Sequence, residues 1–325
     1  MDRMDREQFF ARLAALDEER LKKALWNLYW RGTATVRQRI EAELDPDGPR
    51  PRRKEPEPVD PEGILDEVCD FVALARSGAY LAGDRRVSPR ERTRWRFTFQ
   101  RLVKDAERAL SDDDLSAGAE AMTLLLDLAQ EMRDYDYFRS EDPIEAARVV
   151  VSDEVSLLWS RVLDRLGCAE FARSAAPQLV RWESKYGWTR TGFGRVREQE
   201  TSLTVVLERL LTVPDHWVTF TDGYLEALDQ VAARTSGASS SPGRSFNASR
   251  DQRTGDLAEW HAILLDRLFG GNAEDRLDRL AGHRALGGPN LTYFQAQLAR
   301  RRGDTVATRR SQTEGASPPG PGPSG

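Results

Sequence analysis

Residues 88–110 read SPRERTRWRFTFQRLVKDAERAL, and the spacing of this stretch decides the fold class. Ser88 followed by Pro89 offers a capping oxygen and then a residue whose φ is already set for a first helical turn. At 100° per residue, Trp95, Phe99, Leu102, Val103, Ala106 and Leu110 share one face. Arg90, Arg94, Arg101, Lys104 and Arg108 gather opposite, with Phe97 among them. The same opening recurs at Asp60-Pro61 and Asp142-Pro143. Helical spacing recurs in Leu203, Val206, Leu207, Leu210 and Leu211, and from Ala121 through Leu124, Leu125 and Leu128. Strand-like alternation is rare; its best case, Trp217 to Thr221, follows Pro214-Asp215, which predicts a helix start. The expected class is all-α, an irregular helical bundle or an α-solenoid-like array of antiparallel helices. No fixed repeat period holds along the chain.

Working outward, residues 1–44 read as a small N-terminal module of three short helices, the second ending at Gly32. Residues 45–58 carry five prolines among charges and are expected to form a stiff, extended linker. A main helical domain is expected over 59–235. A flexible Ser/Gly linker is expected over 236–255, followed by a C-terminal helical segment over 256–302. Residues 303–325, ending in a Pro/Gly/Ser run, are expected to be a disordered tail.

The 48 basic and 53 acidic residues give a net charge of −5, which argues against a surface that grips nucleic acid as a whole. Binding of that kind would need a local basic patch. The first twenty residues carry charges throughout instead of the apolar run of a secretory signal, and no stretch has the length of a membrane span. A cytoplasmic protein that does not enter a membrane is expected. The excess of arginine over lysine suggests a high-GC bacterial source. Cys69 and Cys168 stand apart with no CxxC or Cys/His cluster, so both are expected to be small core residues.

Two features point to binding. The row Arg90, Arg94, Arg101, Lys104 and Arg108 with Phe97 between them has the composition of a polyanion-binding face, since guanidinium pairs with phosphate and an aromatic ring stacks on a base. Against this, an amphipathic helix must show some polar face to water, and acidic stretches such as Asp112-Asp113-Asp114 and Asp127 to Glu145 offer compensation. In the N-terminal module, Trp26 and Trp30 flank the Leu21, Leu25 and Leu28 stripe. They either pack within the fold or anchor a protein partner, a role tryptophan favours. The glycine-punctuated segment Tyr186 to Arg195 reads as a connecting loop or as a contact loop through Trp188, Arg190, Phe193 and Arg195.

Catalytic residues cannot be assigned. His216, His261 and His283 are scattered outside any metal-ligand spacing, and GxSxG, phosphate-loop and dinucleotide-binding patterns are absent. The acids around Asp134, Asp136, Glu141 and Asp142 lack the spacing of a calcium loop, and Asp142 reads as a helix cap. No metal or cofactor is expected. The expected function is a non-catalytic scaffold or adaptor for protein–protein interaction in a bacterial cytoplasm. The alternative is a nucleic-acid-associated accessory protein using the Arg90 to Arg108 face, with Arg190 and Arg195 as further candidates. Oligomeric state is not legible.

Overall fold

In a computed structural model, the described residues are 6–33, 36–37, 40–41, 44, 59–81, 85–112, 114–237 and 244–314. They fall into two compact units, Met1–Val59 and Asp60–Gly325. All regular structure among them is helical.

The first unit contains α1 (Arg6–Ala14) and α2 (Glu18–Arg31). Asp17 caps α2 by accepting from the Arg20 N–H at 2.7 Å, and Gly32 terminates it. No residue of α2 is buried; even the Leu21, Leu25 and Leu28 stripe stays open or half-open. The expected third helix lies mostly outside the described residues, and the proline-rich 45–58 entirely so.

In the second unit, α3 (Pro61–Arg76), α4 (Pro89–Ala109) and α5 (Leu115–Glu131) come first. Then follow α6 (Pro143–Ala147), the long segment α7 (Val151–Trp182), α8 (Arg195–Gln199) and α9 (Leu203–Leu210). The unit closes with α10 (Pro214–Gly237), α11 (Arg244–Asp256), α12 (Ala258–Leu268), α13 (Asp275–Ala281) and α14 (Gly288–Glu314). Asp60, Ser88 and Asp142 each cap the helix that follows, with proline in the first turn, and Ser88 forms a reciprocal capping box with Glu91. Trp95, Phe99, Leu102, Val103, Ala106 and Leu110 are all buried, as their spacing predicts.

The segment α7 is a hairpin. Gly167 sits at φ 79° and ψ 172°, outside helical space, and separates an arm at 151–166 from one at 168–182. An unbroken helix would hold Trp159 and Gln178 roughly 28 Å apart at about 1.5 Å per residue. Instead the Trp159 indole N–H donates to Gln178 Oε1 at 2.8 Å.

Alternate helices run parallel in a regular register. The Arg76 guanidinium meets Glu131, the Gln178 amide donates to the Thr123 hydroxyl, and the Trp182 indole donates to Asp127, each pair 55 residues apart. Arg276 forks onto Asp222, and His283 meets Asp229, each pair 54 apart. With Phe171 of the second arm of α7 packed on Phe220 of α10, these contacts lay α3, α5, that arm, α10 and α13 side by side in chain order.

Two aromatic clusters fill the interior. Phe71, Tyr80, Trp95, Phe99 and Phe138 pack in the first half, with Trp95 and Phe138 stacked at 4.1 Å. Trp159, Phe171, Phe220, Trp217, Trp260 and Tyr224 pack in the second. Three glutamates cap helices distant in sequence. Glu200 accepts from the N–H groups of Val151 and Ser152 at 2.7 and 2.9 Å, where Val150 has no capping side chain. Glu145 accepts from Arg195 and Val196, both at 3.0 Å, and Glu183 from Thr204 at 3.2 Å. A carboxylate at a helix N-terminus meets the unpaired N–H groups and the positive end of the dipole.

Several regions differ from the sequence expectation. The expected linker at 236–255 is helical up to Gly237 and again from Arg244, with 238–243 outside the described residues. Its polar side chains are used on neighbouring backbone: Arg250 Nε donates to the Leu286 carbonyl at 2.9 Å, and Arg253 Nη1 donates to that of Ala285 at 2.7 Å. Thr254 is buried, and its hydroxyl accepts from the Gly287 N–H at 3.0 Å. The 256–302 segment belongs to the same unit as 60–235, tied in by Trp260 stacked on Trp217 and by the Arg276–Asp222 fork. At the C-terminus α14 runs to Glu314, past the expected tail start at 303, and residues 315–325 lie outside the described set. Cys69 is exposed on α3 and Cys168 half-buried, so neither is a core residue. No helix among the described residues is long and apolar enough to cross a membrane.

Candidate functional site

On α2, Trp26 stacks on Trp30 with ring centres 5.8 Å apart and 23° between planes, and on Tyr29 at 5.7 Å and 26°. Spacing of three and four residues puts the rings on one side of the helix. Trp26 is 58% exposed and Trp30 71%. The Tyr29 hydroxyl donates to Glu41 at 2.6 Å, which holds that ring and, through the hydrogen bond and the carboxylate charge, raises its pKa. Exposed Leu21, Leu28, Phe9 and Phe10 extend the apolar surface of this unit.

The basic face of α4 divides into two kinds of residue. Arg101 is committed to acids, Nη1 reaching Glu67 at 2.9 Å and Asp105 at 3.0 Å, and Arg108 also pairs with Asp105. Arg90, Arg94 and Lys104 are exposed and have no acidic partner among the described residues. Phe97 is 53% exposed, with the Arg96 guanidinium 4.8 Å from its ring centre. Arg96, Phe97 and Gln100 line a cleft of about 830 Å³ with Arg148 and Thr191 on the facing loops.

The Tyr186 to Arg195 segment is a connection whose residues part ways. Trp188 is buried, with the Arg133 guanidinium 5.5 Å from its ring, whereas Phe193 is 83% exposed. Arg190 turns away from the α4 stripe, donating to the Arg133 carbonyl at 2.9 Å and pairing with Asp136 at 2.6 Å. Arg195 contributes its backbone N–H to Glu145.

The most elaborate polar constellation is one that no sequence motif marks. A cleft of about 530 Å³ is lined by Gln130 and Arg133 at the end of α5, by Glu183 and Thr189 from the loop after α7, and by Arg253 and Asp256 of α11. A second cleft of about 500 Å³ adjoins it, sharing Glu183, Ser184, Gly187 and Asp256. Burial lowers the pKa of both Arg133 and Arg253 and raises that of Asp256. It also pushes Glu183 up to about 7, against the pull of the backbone N–H groups that the carboxylate accepts. These side chains come from positions near 130, 185 and 255, and treating 236–255 as linker hides the third contribution. Among the described residues no cluster of His, Cys, Asp and Glu is arranged to hold a metal ion. No family model matches the chain, and no curated protein or solved structure shows significant similarity to it.

Proposed function

We propose that this protein is a helical adaptor that docks a protein partner through the Trp26, Tyr29 and Trp30 face of α2. The observation carrying this reading is the stacked pair of open indole rings on a helix that buries none of its residues. Each exposed tryptophan keeps a large apolar area in water, and moving such area onto a partner yields about 25 cal/mol per Å². The stack also restricts the rings beforehand, which reduces the ordering cost of binding. The complementary partner is a protein with an apolar groove, and the cytoplasmic setting expected from the sequence belongs to this proposal. The test uses the full chain and its Trp26→Ala/Trp30→Ala variant as baits, with nuclease treatment in both arms. The proposal expects a protein that survives nuclease and is lost with the variant. Equal capture by both baits, or loss on nuclease treatment, would overturn it.

A second reading rests on Arg90, Arg94 and Lys104, which have no acidic partner among the described residues, beside the open ring of Phe97. They support a nucleic-acid-associated role on a shorter footprint than the whole stripe, because Arg101 and Arg108 already face Glu67 and Asp105.

A further inference from the structure

The cleft between the end of α5, the loop after α7 and α11 holds two guanidinium groups that make no ion pair among the described residues. Arg133 donates one N–H to the Gly187 carbonyl at 3.2 Å, and Arg253 one to the Ala285 carbonyl at 2.7 Å. Neither has a carboxylate within ion-pair distance among the described residues, although both are drawn partly out of water. A guanidinium has five N–H donors, so most of each fork is unused; the carboxylates of Asp134, Asp256 and Glu183 act on Arg133 through space without forming an ion pair. In the same lining, Thr189 is 5% exposed and its hydroxyl makes no hydrogen bond. Gln130 Oε1 is likewise buried without a donor. Buried polar atoms normally find partners, and here two of them border one cleft with two unpaired guanidinium groups.

We propose that this cleft is a binding site for a small oxyanion, carboxylate or phosphate, held by Arg133 and Arg253 with the Thr189 hydroxyl donating, on a molecule whose own N–H or O–H reaches Gln130 Oε1. Of the other charged groups of the lining, Asp134 is exposed to solvent and the remaining four are already engaged. Arg181 pairs with Asp127 and Arg190 with Asp136. Glu183 accepts from the N–H groups of Ser184 and Thr204 at 2.8 and 3.2 Å, and Asp256 from that of Lys185. Burial raises the pKa of both carboxyls, that of Glu183 to about 7. The inference does not depend on the adaptor reading, since every residue in it belongs to the second unit.

The experiment is calorimetric titration of the full chain with inorganic phosphate, O-phospho-L-serine and L-glutamate. Saturable one-site binding of at least one probe is expected, and the preference between phosphoserine and glutamate identifies the oxyanion. Thr189→Val keeps the side-chain shape and should weaken that binding at least about tenfold, the loss of one hydrogen bond to a charged group. It should leave the melting temperature of the ligand-free protein unchanged or raised, because an unpaired buried hydroxyl is removed. Arg253→Gln should abolish binding; where that variant does not fold, Thr189→Val alone decides. The proposal falls if none of the three probes saturates, if Thr189→Val binds like the parent, or if Thr189→Val lowers the ligand-free melting temperature.

Discussion

The Trp159 indole N–H donates to the Gln178 side-chain oxygen at 2.8 Å across 19 residues, a contact that one straight helix over Val151–Trp182 would forbid. The reversal at Gly167 that permits this has open space around it: a Cβ there would touch nothing within 4 Å. Replacement by alanine is therefore expected to cost about 1–3 kcal/mol through the backbone conformation alone, which only glycine adopts readily. Gln178→Leu is expected to cost about 1–3 kcal/mol by leaving the buried indole N–H unpaired. Urea unfolding checks both. A stabilising Gly167→Ala, the result in an uninterrupted helix, would show that the hairpin is wrong.

Tyr224 and His261 form a second buried pair, hydroxyl to Nε2 at 2.7 Å, and burial lowers the histidine to about 3. The imidazole is neutral across the physiological range, so its ring nitrogen depends on the tyrosine. Tyr224→Phe is expected to cost about 1–3 kcal/mol. Adding His261→Leu should cost less than the sum of the single changes, since it removes the stranded partner. A double-mutant cycle measures this coupling, and strict additivity would refute the pair's importance.

Much of this architecture is legible before any coordinates. Asp60, Ser88 and Asp142 announce their helices because capping is a local interaction. The buried face of α4 follows from its spacing. The 54- and 55-residue registers are not legible, because they join side chains with no shared pattern, such as Arg76 with Glu131. The pairing of Arg101 with Asp105 lies within one helix and can be anticipated at four residues, whereas that with Glu67 arises only from tertiary packing. The cleft at Thr189 escapes notice for the same reason. Its third wall also comes from a polar stretch whose helix is held by arginine to carbonyl bonds in place of an apolar stripe.

Stability should vary with pH in two opposing ways. Burial pushes Glu154 up to about 8, with Glu107, Asp153 and Glu200 adding repulsion, and Glu183 up to about 7. Both bind a proton more tightly folded than unfolded, so the stabilisation they contribute is full below about 4.5 and is lost as pH rises through 7 and 8. His261 acts in the other direction: its contribution is present above about 6.5 and is lost as pH falls towards 3. Glu154→Gln is expected to raise the melting temperature at pH 8.5 by a few degrees and to change it little at pH 5. Melting curves at the two pH values check this; an equal shift at both would rule out the titration of Glu154 as the cause.

The divided basic face of α4 predicts that its arginines are not equivalent. Arg101→Ala removes an exposed ion pair and is expected to cost only about 0.2–1 kcal/mol of stability, with little effect on polyanion binding, because its charge is already met by Glu67 and Asp105. Arg90→Ala, Arg94→Ala and Lys104→Ala together should leave stability unchanged, since none makes an ion pair among the described residues. On the nucleic-acid reading, each lost phosphate contact lowers the slope of log affinity against log salt by roughly 1, so the triple variant should lose up to about 3. Phe97→Ala should weaken single-stranded binding more than duplex binding, because a ring can stack only on an unpaired base. Fluorescence anisotropy with labelled single-stranded and duplex oligonucleotides over a salt series measures all of these. Binding that is absent, or that Arg101→Ala weakens as much as the triple variant does, would remove this reading and leave Arg90, Arg94 and Lys104 as an ordinary solvated face.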